Sequence, residues 1–276
     1  MNTHHPVAIV TGVSSGIGRA TAELLAQRGF RVFGTVRRTS AITAVPGIDL
    51  AQLDVRDDSA AAELVEHVLA RAGRIDVLVN NAGYAVAGSA EETSIEQARA
   101  LFETNFFGIL RMMRTVLPPM RARGTGRIVN ISSVLGLVPA PYLSVYAASK
   151  HALEGHSESL DHEVRPFGIR VSLVEPGFTS TKLGANLEPA DTPLDAYAPR
   201  RARVLAVVGR AIAGGTHPER VADAVLRAAT SSSPHLRYVV GREARLLSYL
   251  RRLLPPATFD RGLRRQFQLD AALETA

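Results

Sequence analysis

The sequence predicts a doubly wound α/β fold in which helices cover both faces of a mainly parallel sheet. Short apolar runs without polar alternation, such as those that begin at Val7 and Asp76, are typical of strands buried on both faces. Helical segments of ten or more residues separate these runs, as expected of parallel strands joined by right-handed crossovers. A glycine-rich turn follows the first run and indicates a tight bend at the first strand–helix junction.

The elements are predicted in order from apolar periodicity and from the residues that end each segment. Strands are predicted at Val7–Thr11, Arg31–Val36, Ile48–Leu53, Asp76–Asn80, Arg127–Ile131, Arg170–Val174 and Arg237–Val240. Helices are predicted at Gly16–Arg28, Ser59–Ala72, Ile95–Leu117, Ser144–Val164, Pro218–Thr230 and Glu243–Leu254. Gly29 and Gly73 follow the first two helices, as is common at a helix C-terminus. Pro118 should end the third helix, because proline interrupts the hydrogen bonds of a helix interior.

The pattern loosens after Pro176. Residues 178–215 contain Pro189, Pro193 and Pro199 and show no strand pattern. No linker, internal repeat or low-complexity segment divides the chain. Residues 1–276 are therefore predicted to form a single domain.

The composition excludes several classes of protein. The chain contains no cysteine, which rules out disulfides, thiol catalysis and thiolate metal sites. No apolar run approaches the roughly eighteen residues that cross a membrane, and the first residues lack the basic and apolar regions of a secretory signal. The histidines show no metal-like pairing with carboxylates, so no metal site is predicted. These features favour a soluble, cytoplasmic protein.

The net charge of +6 is concentrated towards the C-terminus. Residues 237–276 hold eight arginines and four acidic residues, which accounts for +4 of the total. Basic and aromatic residues are not interleaved as on a nucleic-acid-binding surface, so nucleic-acid binding is not expected. Within this region the helix Glu243–Leu254 is predicted to be amphipathic, with its leucines on one face and its arginines on the other.

The turn from Thr11 to Gly18 is suited to an anion. Gly12, Gly16 and Gly18 allow close approach of the backbone, and the following helix presents free amides and a partial positive charge. No Gly-Lys-Ser/Thr sequence follows, which argues against a nucleotide-hydrolysing loop. At the first strand–helix junction of a parallel sheet, the turn predicts a site for the pyrophosphate of a dinucleotide.

The end of the second strand indicates which dinucleotide is bound. An acidic residue there would bind the ribose hydroxyls of NAD, whereas arginine accommodates the 2′-phosphate of NADP. The sequence has Arg37 and Arg38 at this point and no carboxylate. A solvated loop is the alternative interpretation of the two arginines, but the pair favours NADP(H) over NAD(H).

Tyr146 and Lys150 form the most informative pair in the sequence. The chain has two lysines against thirty arginines, and Lys150 lies four residues after Tyr146. Residues four apart share one face of a helix, and a neighbouring cation lowers the pKa of a phenol. The pair is therefore expected to donate and accept a proton near neutral pH.

With this pair behind the glycine turn, the sequence resembles the short-chain dehydrogenase/reductase family over about residues 7–181. The shared motifs occur in the family's order: the glycine turn, Asp54-Val55 after the third strand, Asn-Asn-Ala-Gly at 80–83, Asn105 within Glu-Thr-Asn-Phe-Phe-Gly, Ser133 thirteen residues before Tyr146, and Pro176-Gly177. The resemblance implies a Rossmann-type fold and an oxidoreductase that acts on CH–OH groups.

The resemblance also implies roles for individual residues. The catalytic residues would be Asn105, Ser133, Tyr146 and Lys150, with Ser132 as the alternative serine. Tyr146 would exchange a proton with the reacting oxygen, and Ser133 would hydrogen-bond to that oxygen. Lys150 would lower the pKa of the tyrosine and bind the nicotinamide ribose, while Asn105 would hold a water that links Lys150 to solvent. Cofactor contacts are implied for Gly12, Ser14, Ser15, Gly16, Ile17, Gly18, Arg37, Arg38, Asp54, Val55, Asn81, Ala82, Gly83, Tyr146, Lys150, Pro176, Gly177, Thr179 and Thr181.

In this family the substrate is held by the segment after Pro-Gly and by the loop before the tyrosine. Here those segments are a substrate flap at about residues 178–215 and the loop 134–143. Both are rich in apolar residues, and charged residues are sparse near the expected mouth of the cleft, so a small apolar alcohol or ketone is the expected substrate. Packing of the flap onto the core is the alternative interpretation. The residues expected to line the substrate are Ser133, Leu135, Tyr142, Phe178 and Leu183.

The C-terminal extension, at about residues 237–276, is similar to that of family members acting on steroid- or retinoid-like substrates. Its basic amphipathic helix is expected to cover the cleft or to pack on a partner subunit, in a homodimer or homotetramer. Contact with an anionic membrane surface is a less favoured use. The alternative enzyme is a 3-oxoacyl-thioester reductase of the same family, and the alternative outside enzymes is a catalytically silent dinucleotide-binding sensor.

Overall fold

The computed structural model describes residues 5–38, 45–180 and 187–270. Its strands in chain order are β1 (Val7–Val10), β2 (Arg31–Val36), β3 (Ile48–Gln52), β4 (Val77–Asn80), β5 (Ala85–Ala87), β6 (Gly126–Ile131), β7 (Ile169–Pro176), β8 (Leu187–Pro189) and β9 (Arg237–Val240). Its helices are α1 (Gly16–Gln27), α2 (Asp58–Ala72), α3 (Ile95–Phe102), α4 (Gly108–Arg123), α5 (Ser144–Val164), α6 (Ala198–Ala213), α7 (Pro218–Thr230), α8 (Arg242–Leu253) and α9 (Pro256–Gln266). A π-helical segment, Glu103–Phe107, joins α3 to α4.

Seven of the described strands form one parallel sheet in the order β3-β2-β1-β4-β6-β7-β9. The order proceeds in opposite directions on either side of the β1–β4 pair, in which Ala8 is aligned with Val77. Because these two strands are parallel and their connections leave in opposite directions, a crevice opens beyond their carboxyl ends. The predicted doubly wound fold of Rossmann type is confirmed.

Helices cover both faces of the sheet because its central strands are buried on both sides. In β1, Ile9 belongs to the apolar cluster that contains Met112 of α4, together with residues of α2 and α5. Its neighbour Val10 points to the opposite face and belongs to the cluster that contains Val225 of α7 and residues of α1. The carboxyl ends of the strands are thereby held between two packed layers.

The predicted helix at Ile95–Leu117 is wrong at its C-terminal end. Pro118 and the proline after it stand inside α4, which continues to Arg123. Pro118 has no amide hydrogen to donate to the carbonyl of Arg114. Because Arg114 and Pro118 are both exposed, water can hydrogen-bond to that carbonyl instead. On the other side of the helix Met120 is fully buried, and its packing extends the helix past the prolines.

The same predicted helix is also interrupted by the π-helical segment Glu103–Phe107. A π-turn inserts one extra residue into a helix and is frequent at functional sites. Here the segment turns the side chain of Asn105 into the interior, where it is fully buried. Sequence periodicity does not reveal this insertion, because the apolar residues on either side keep helical spacing.

The expectation that residues 178–215 contain no strand is wrong as well. Strand β8 pairs in parallel with β5, with Leu187 opposite Ala85. Three residues are too few for alternation to be recognised in a sequence. The second half of the segment forms α6, whose Pro199 lies in the first turn, where a helix does not need its amide hydrogen.

Helix α8 divides its leucines between two faces, which corrects the prediction of a single leucine face. Leu247 and Leu250 pack inward, against a third apolar cluster that also contains residues of α6 and α9. Leu246 and Leu253 lie on the outer face and are 58% and 77% exposed. Within the described ranges, no helix combines the length and apolar character needed to cross a membrane.

Candidate active site

A cavity of about 630 Å³ lies beyond the carboxyl ends of β1 and β4. Its walls come from the turn after β1, the ends of β2, β4 and β6, the first turns of α5, the segment after β7 and the inner face of α6. Most of the residues predicted from the sequence line it, namely Gly12, Ser14, Ser15, Gly16, Ile17, Arg37, Asp54, Val55, Asn81, Ala82, Gly83, Ser133, Leu135, Tyr146, Lys150, Pro176, Gly177, Phe178 and Thr179.

Four predicted residues do not line this cavity. Gly18 packs behind the turn, Arg38 is exposed, Asn105 is buried behind the wall, and Tyr142 lies outside the lining. Thr181 and Leu183 fall outside the described residues.

The turn after β1 brings backbone against backbone. Gly12 and Gly16 adopt φ angles of 72° and 60°, in the left-handed region that favours glycine. A Cβ on Gly12 would lie 3.0 Å from the Cα of Ala82, so a side chain would crowd the end of β4. Ser15 begins α1 without a side-chain hydrogen bond to the helix, which leaves the first amides of α1 available to an anion. The turn thus fits the pyrophosphate of a dinucleotide.

Thr11 and Asn81 fasten this turn to β4. The Thr11 hydroxyl accepts hydrogen bonds from the amides of Asn81 and Ala82, at 2.9 and 3.0 Å. In return, Asn81 Nδ2 donates to the carbonyls of Thr11 and Gly12, at 2.9 and 3.0 Å. A Cβ on Gly18 would stand 2.3 Å from that amide nitrogen and from the Gly12 carbonyl oxygen. Gly18 is therefore required for packing at this junction, and it does not line the cavity.

The far end of the cavity from α5 is charged. Asp54 accepts two-pronged hydrogen bonds from Arg56, with Nε at 2.9 Å from Oδ1 and Nη2 at 2.6 Å from Oδ2. These bonds, assisted by the charge of Arg37, lower the pKa of Asp54 to about 2. Arg37 and Arg56 both line this end of the cavity, beside Tyr84.

Ser133, Tyr146 and Lys150 lie together at the other end. Tyr146 and Lys150 come from successive turns of α5, and Ser133 follows β6 and hydrogen-bonds to the Tyr146 phenol. The Lys150 ammonium donates to the carbonyl of Ile131 at 2.9 Å and lies 5.8 Å from the centre of the Tyr146 ring. The predicted grouping of these three side chains is present in the structure.

The expectation that the pKa of Tyr146 is lowered is wrong for this structure. Burial raises the pKa of Tyr146 to about 12, and the opposing influence is the hydrogen bond from Ser133. Burial also lowers the pKa of Lys150 to about 8, against the charge of Glu154. Desolvation disfavours the charged form of each group, and it outweighs the attraction between them because the ammonium is bonded to Ile131 and not to the phenol.

Asn105 holds the segment that follows β4. Its Oδ1 accepts from the amide of Tyr84 at 3.1 Å, and its Nδ2 donates to the carbonyl of Tyr84 at 2.9 Å. The same nitrogen lies 3.3 Å from the hydroxyl of Ser149, one residue before Lys150. Asn105 therefore connects the cavity wall at Tyr84 with the helix that carries Tyr146 and Lys150.

Sequence reasoning missed some residues of the cavity wall, and it identified others only as apolar residues of the predicted substrate flap. Arg56 and Tyr84 line the charged half, and Leu187, Val208 and Ile212 line the apolar half. The position of Arg56, two residues after Asp54, was a usable signal, since a carboxylate and a guanidinium at that spacing readily pair. No sequence signal distinguishes Val208 and Ile212 from the other apolar residues of α6.

The arrangement combines three chemical capacities. The glycine turn and the N-terminus of α1 can hold an anion. The Tyr146 phenol, hydrogen-bonded to Ser133, can supply a proton to an oxygen in the cavity and stabilise charge that develops on it. The neighbouring apolar residues can bind the remainder of a small apolar molecule.

Comparison with known proteins shows the family of the chain. A family model described as short chain dehydrogenase matches residues 6–192. The chain is 36% identical over 237 residues to a 3-ketodihydrosphingosine reductase of Bacteroides thetaiotaomicron, covering 85% of this chain and 87% of that relative. It is 36% identical over 255 residues to retinol dehydrogenase 8 of Homo sapiens, covering 83% and 79%.

Solved structures give the same result. A short-chain dehydrogenase from Streptomyces avermitilis superposes with a TM-score of 0.82 at 36% identity, covering 98% of each chain. Among the other similar structures, one from Burkholderia phymatum is in complex with NAD, with a TM-score of 0.79, 26% identity and coverage of 91% and 94%. One from Burkholderia cenocepacia is in complex with NADP, with a TM-score of 0.73, 27% identity and coverage of 97% and 99%.

The structural neighbours thus bind either NAD or NADP. The family match and the relatives' activities identify the protein as an oxidoreductase that acts on CH–OH groups. Since the match covers more than half of its length, the chain belongs to the short-chain dehydrogenase/reductase family.

Proposed function

We propose that this enzyme interconverts an apolar secondary alcohol and ketone, or an alcohol and aldehyde, by hydride transfer with NADP(H). The observation that carries the proposal is a single cavity with two unlike ends. One end holds the glycine turn with Arg37 and Arg56, and the other holds Tyr146 and Lys150 beside apolar side chains. This is the spatial order that a dinucleotide followed by an apolar carbonyl compound requires.

The cofactor would supply the hydride. Residues from several sides of the cavity would hold the cofactor. The amides at the start of α1 and the turn at Gly12 would receive the pyrophosphate. Arg37 and Arg56 would face the adenosine ribose, and Lys150 would reach the nicotinamide ribose. Two arginines at the adenosine end, one of them not paired with Asp54, support NADP over NAD, because a 2′-phosphate needs a cation there.

Tyr146 would donate the proton in the reductive direction. A phenol whose pKa is about 12 is fully protonated at neutral pH, which suits a proton donor. Ser133 would hydrogen-bond to the same oxygen and stabilise the developing alkoxide. Lys150 would then favour the tyrosinate left after transfer. Asn105, which binds Tyr84 and Ser149, would fix the position of the Tyr84 segment relative to α5. It would also hold the water predicted to connect Lys150 with solvent.

The apolar part of the cavity supports the substrate class. Leu135, Leu143, Phe178, Leu187, Val208 and Ile212 all contribute to its wall. Glu188, which follows Leu187 in β8, also lines the cavity. The names of two relatives, a 3-ketodihydrosphingosine reductase and a retinol dehydrogenase, are compatible with an apolar alcohol or ketone.

A direct experiment follows the loss of NADPH absorbance with a panel of steroids, retinoids, medium-chain ketones and 3-oxoacyl thioesters. Turnover of an apolar ketone or aldehyde with NADPH is the expected result. Faster turnover of the thioesters would replace the proposed substrate class with the acyl-thioester alternative. Tighter binding of NADH than of NADPH would overturn the proposed role of Arg37.

The remaining parts of the proposal concern the setting of the enzyme. The family resemblance supports a homodimer or homotetramer, and a cytoplasmic location is proposed from the composition. Sedimentation of the purified protein would test the assembly, since a monomer at micromolar concentration would contradict it.

A further inference from the structure

A buried cluster of charged side chains lies behind Lys150. Glu154 is one helical turn after Lys150 on α5 and is 5% exposed. Glu175, at the end of β7, is fully buried and directly precedes Pro176, which lines the cavity. Arg237, on β9, reaches both carboxyls, with its Nε 3.1 Å from Glu154 and 3.2 Å from Glu175. None of these three residues lines the cavity.

One arginine does not satisfy two buried carboxylates. Its Nε–H makes a well-directed hydrogen bond to Glu154 Oε2 and none of good geometry to Glu175. Glu154 Oε1 and both oxygens of Glu175 find no hydrogen-bond donor among the described residues. Ionising two buried carboxylates side by side has a large free-energy cost. A single proton on the pair removes one of the two negative charges and supplies a hydrogen-bond donor.

The surrounding charges do not change this conclusion. On α5 the exposed Glu158 binds Arg237 at 3.0 Å and so withdraws part of its charge from the buried pair. On α8, Arg252 acts on Glu175 from a greater distance, as a charge without a hydrogen bond. After β6, Gly136 lies against both Glu154 and the uncharged hydroxyl of Ser132. Arg237 is thus the cation in contact with both carboxylates, and Lys150 is a cation on which the charge of Glu154 acts.

We propose that Glu154 and Glu175 share one proton, and that the charge left on the pair holds Lys150 in its protonated form. The proton resides mainly on Glu175, whose pKa is raised to about 8 by burial and by Glu154. Glu154 is then the carboxylate that opposes the loss of the Lys150 charge in a desolvated site. Glu154 is a positioning residue in this scheme, since it acts on the reaction only through Lys150. Its importance for turnover rests on the proposed role of Lys150.

The chain permits a direct measurement of this effect, because it contains only two lysines. With ¹³C-labelled lysine, the Cε resonances of Lys150 and Lys182 can be followed against pH, and a Lys182→Arg variant assigns them. We expect Glu154→Gln to lower the pKa of Lys150 by about one unit, as for removal of an opposite charge close by. Glu158→Gln is the matched control, since it also removes a carboxylate bonded to Arg237, and it should leave the Lys150 titration unchanged.

An unchanged Lys150 titration in Glu154→Gln would overturn the proposal, and so would an equal shift in Glu158→Gln. Neither measurement uses a cofactor or a substrate. The substrate panel can therefore contradict the proposed function while the effect on Lys150 is observed. Equally, the panel can support the proposed function while the Lys150 titration shows no effect.

A second variant tests the shared proton even if Glu154→Gln fails to fold. The pKa of Glu175 is raised from 4.5 in the unfolded chain, so the native state retains a proton that the unfolded state has lost. The contribution of Glu175 to stability is present below pH 4.5 and is lost as the pH rises towards about 8. Glu175→Gln keeps the shape of the protonated acid and does not titrate. The melting temperature of the variant, relative to that of the wild type, should therefore increase as the pH rises from pH 5 to pH 8. A difference that stays constant over this range would show that Glu175 is ionised throughout and would overturn the sharing of a proton.

Discussion

The two ends of the cavity are built by different means. At the phosphate turn, Thr11 and Asn81 use four hydrogen bonds to hold the backbone of β1 and β4 in contact. At the substrate end, apolar side chains of the flap, α8 and α9 pack against the segment after β6. The first end specifies each residue type, because hydrogen bonds and close backbone approach tolerate few substitutes. The second end specifies mainly volume and apolar character, which many residues supply.

Four substitutions test this difference, and the largest effect is expected at the proposed catalytic tyrosine of the substrate end. Tyr146→Phe should lower kcat/KM by about 10²–10⁴-fold, the usual contribution of a general acid or base. The dissociation constant of NADPH should change little, because the phenyl ring remains. Tyr142→Phe is the matched control, since Tyr142 lies outside the cavity lining, and it should keep full activity. Undiminished turnover by Tyr146→Phe would remove this residue from the chemistry.

Gly18→Ala should damage the polar end without touching the cavity. The added Cβ would stand 2.3 Å from Asn81 Nδ2 and the Gly12 carbonyl, and overpacking of this kind costs about 1–3 kcal/mol. Urea denaturation and NADPH titration should show a loss of stability together with weaker binding. Gly155→Ala is the control, since nothing lies within 4 Å of that Cβ, and it should stabilise α5 by about 0.5–1 kcal/mol. Equal stability of the two variants would contradict the packing role of Gly18.

Arg37→Ala tests the charged part of the polar end. Loss of a charge-assisted hydrogen bond of about 1.5–3 kcal/mol should weaken NADPH binding by about tenfold or more and leave NADH binding nearly unchanged. Fluorescence titration with each dinucleotide measures both values. Arg38→Ala should have little effect on either, because Arg38 does not line the cavity. Equal losses for NADPH and NADH would show that Arg37 does not contact a 2′-phosphate.

The smallest effect is expected at the apolar end. Val208→Ala should raise KM for an apolar substrate by about three- to fifteenfold, at about 0.8 kcal/mol for each buried methyl group lost. Cofactor affinity should be unaffected. Val204→Ala removes the same volume one turn earlier on α6, where the side chain is buried but does not line the cavity. That control should lower stability and leave KM unchanged, and a rise in KM for both variants would mean that α6 acts only through packing.

The polar end and the Tyr146–Lys150 pair were predictable for the reason that makes them sensitive to substitution. Gly12, Gly16, Asn81 and the Tyr146–Lys150 spacing are fixed by backbone geometry and by chemistry, so short stretches of sequence identify them. Gly18 was predicted as a cofactor contact, and the structure shows it packed against Asn81 and the Gly12 carbonyl, a packing role that the motif alone does not reveal. The apolar end gave weaker predictions. Val208 and Ile212 differ from other residues of α6 only in the direction they face, and that direction depends on how α6 packs.

The sequence by itself determined the parallel fold, the phosphate turn and the set of catalytic candidates, since these depend on periodicity and on residue types with few alternatives. Only the tertiary structure decided the electrostatics of the site. Burial raises the pKa of Tyr146 and lowers that of Lys150, opposite to the effect expected for the tyrosine from the sequence pair alone. The tertiary structure also brings Glu154 beside Glu175 and Arg237, although these residues are far apart in the chain. Desolvation and long-range pairing depend on what surrounds a group in three dimensions, and the identity of the group does not encode them.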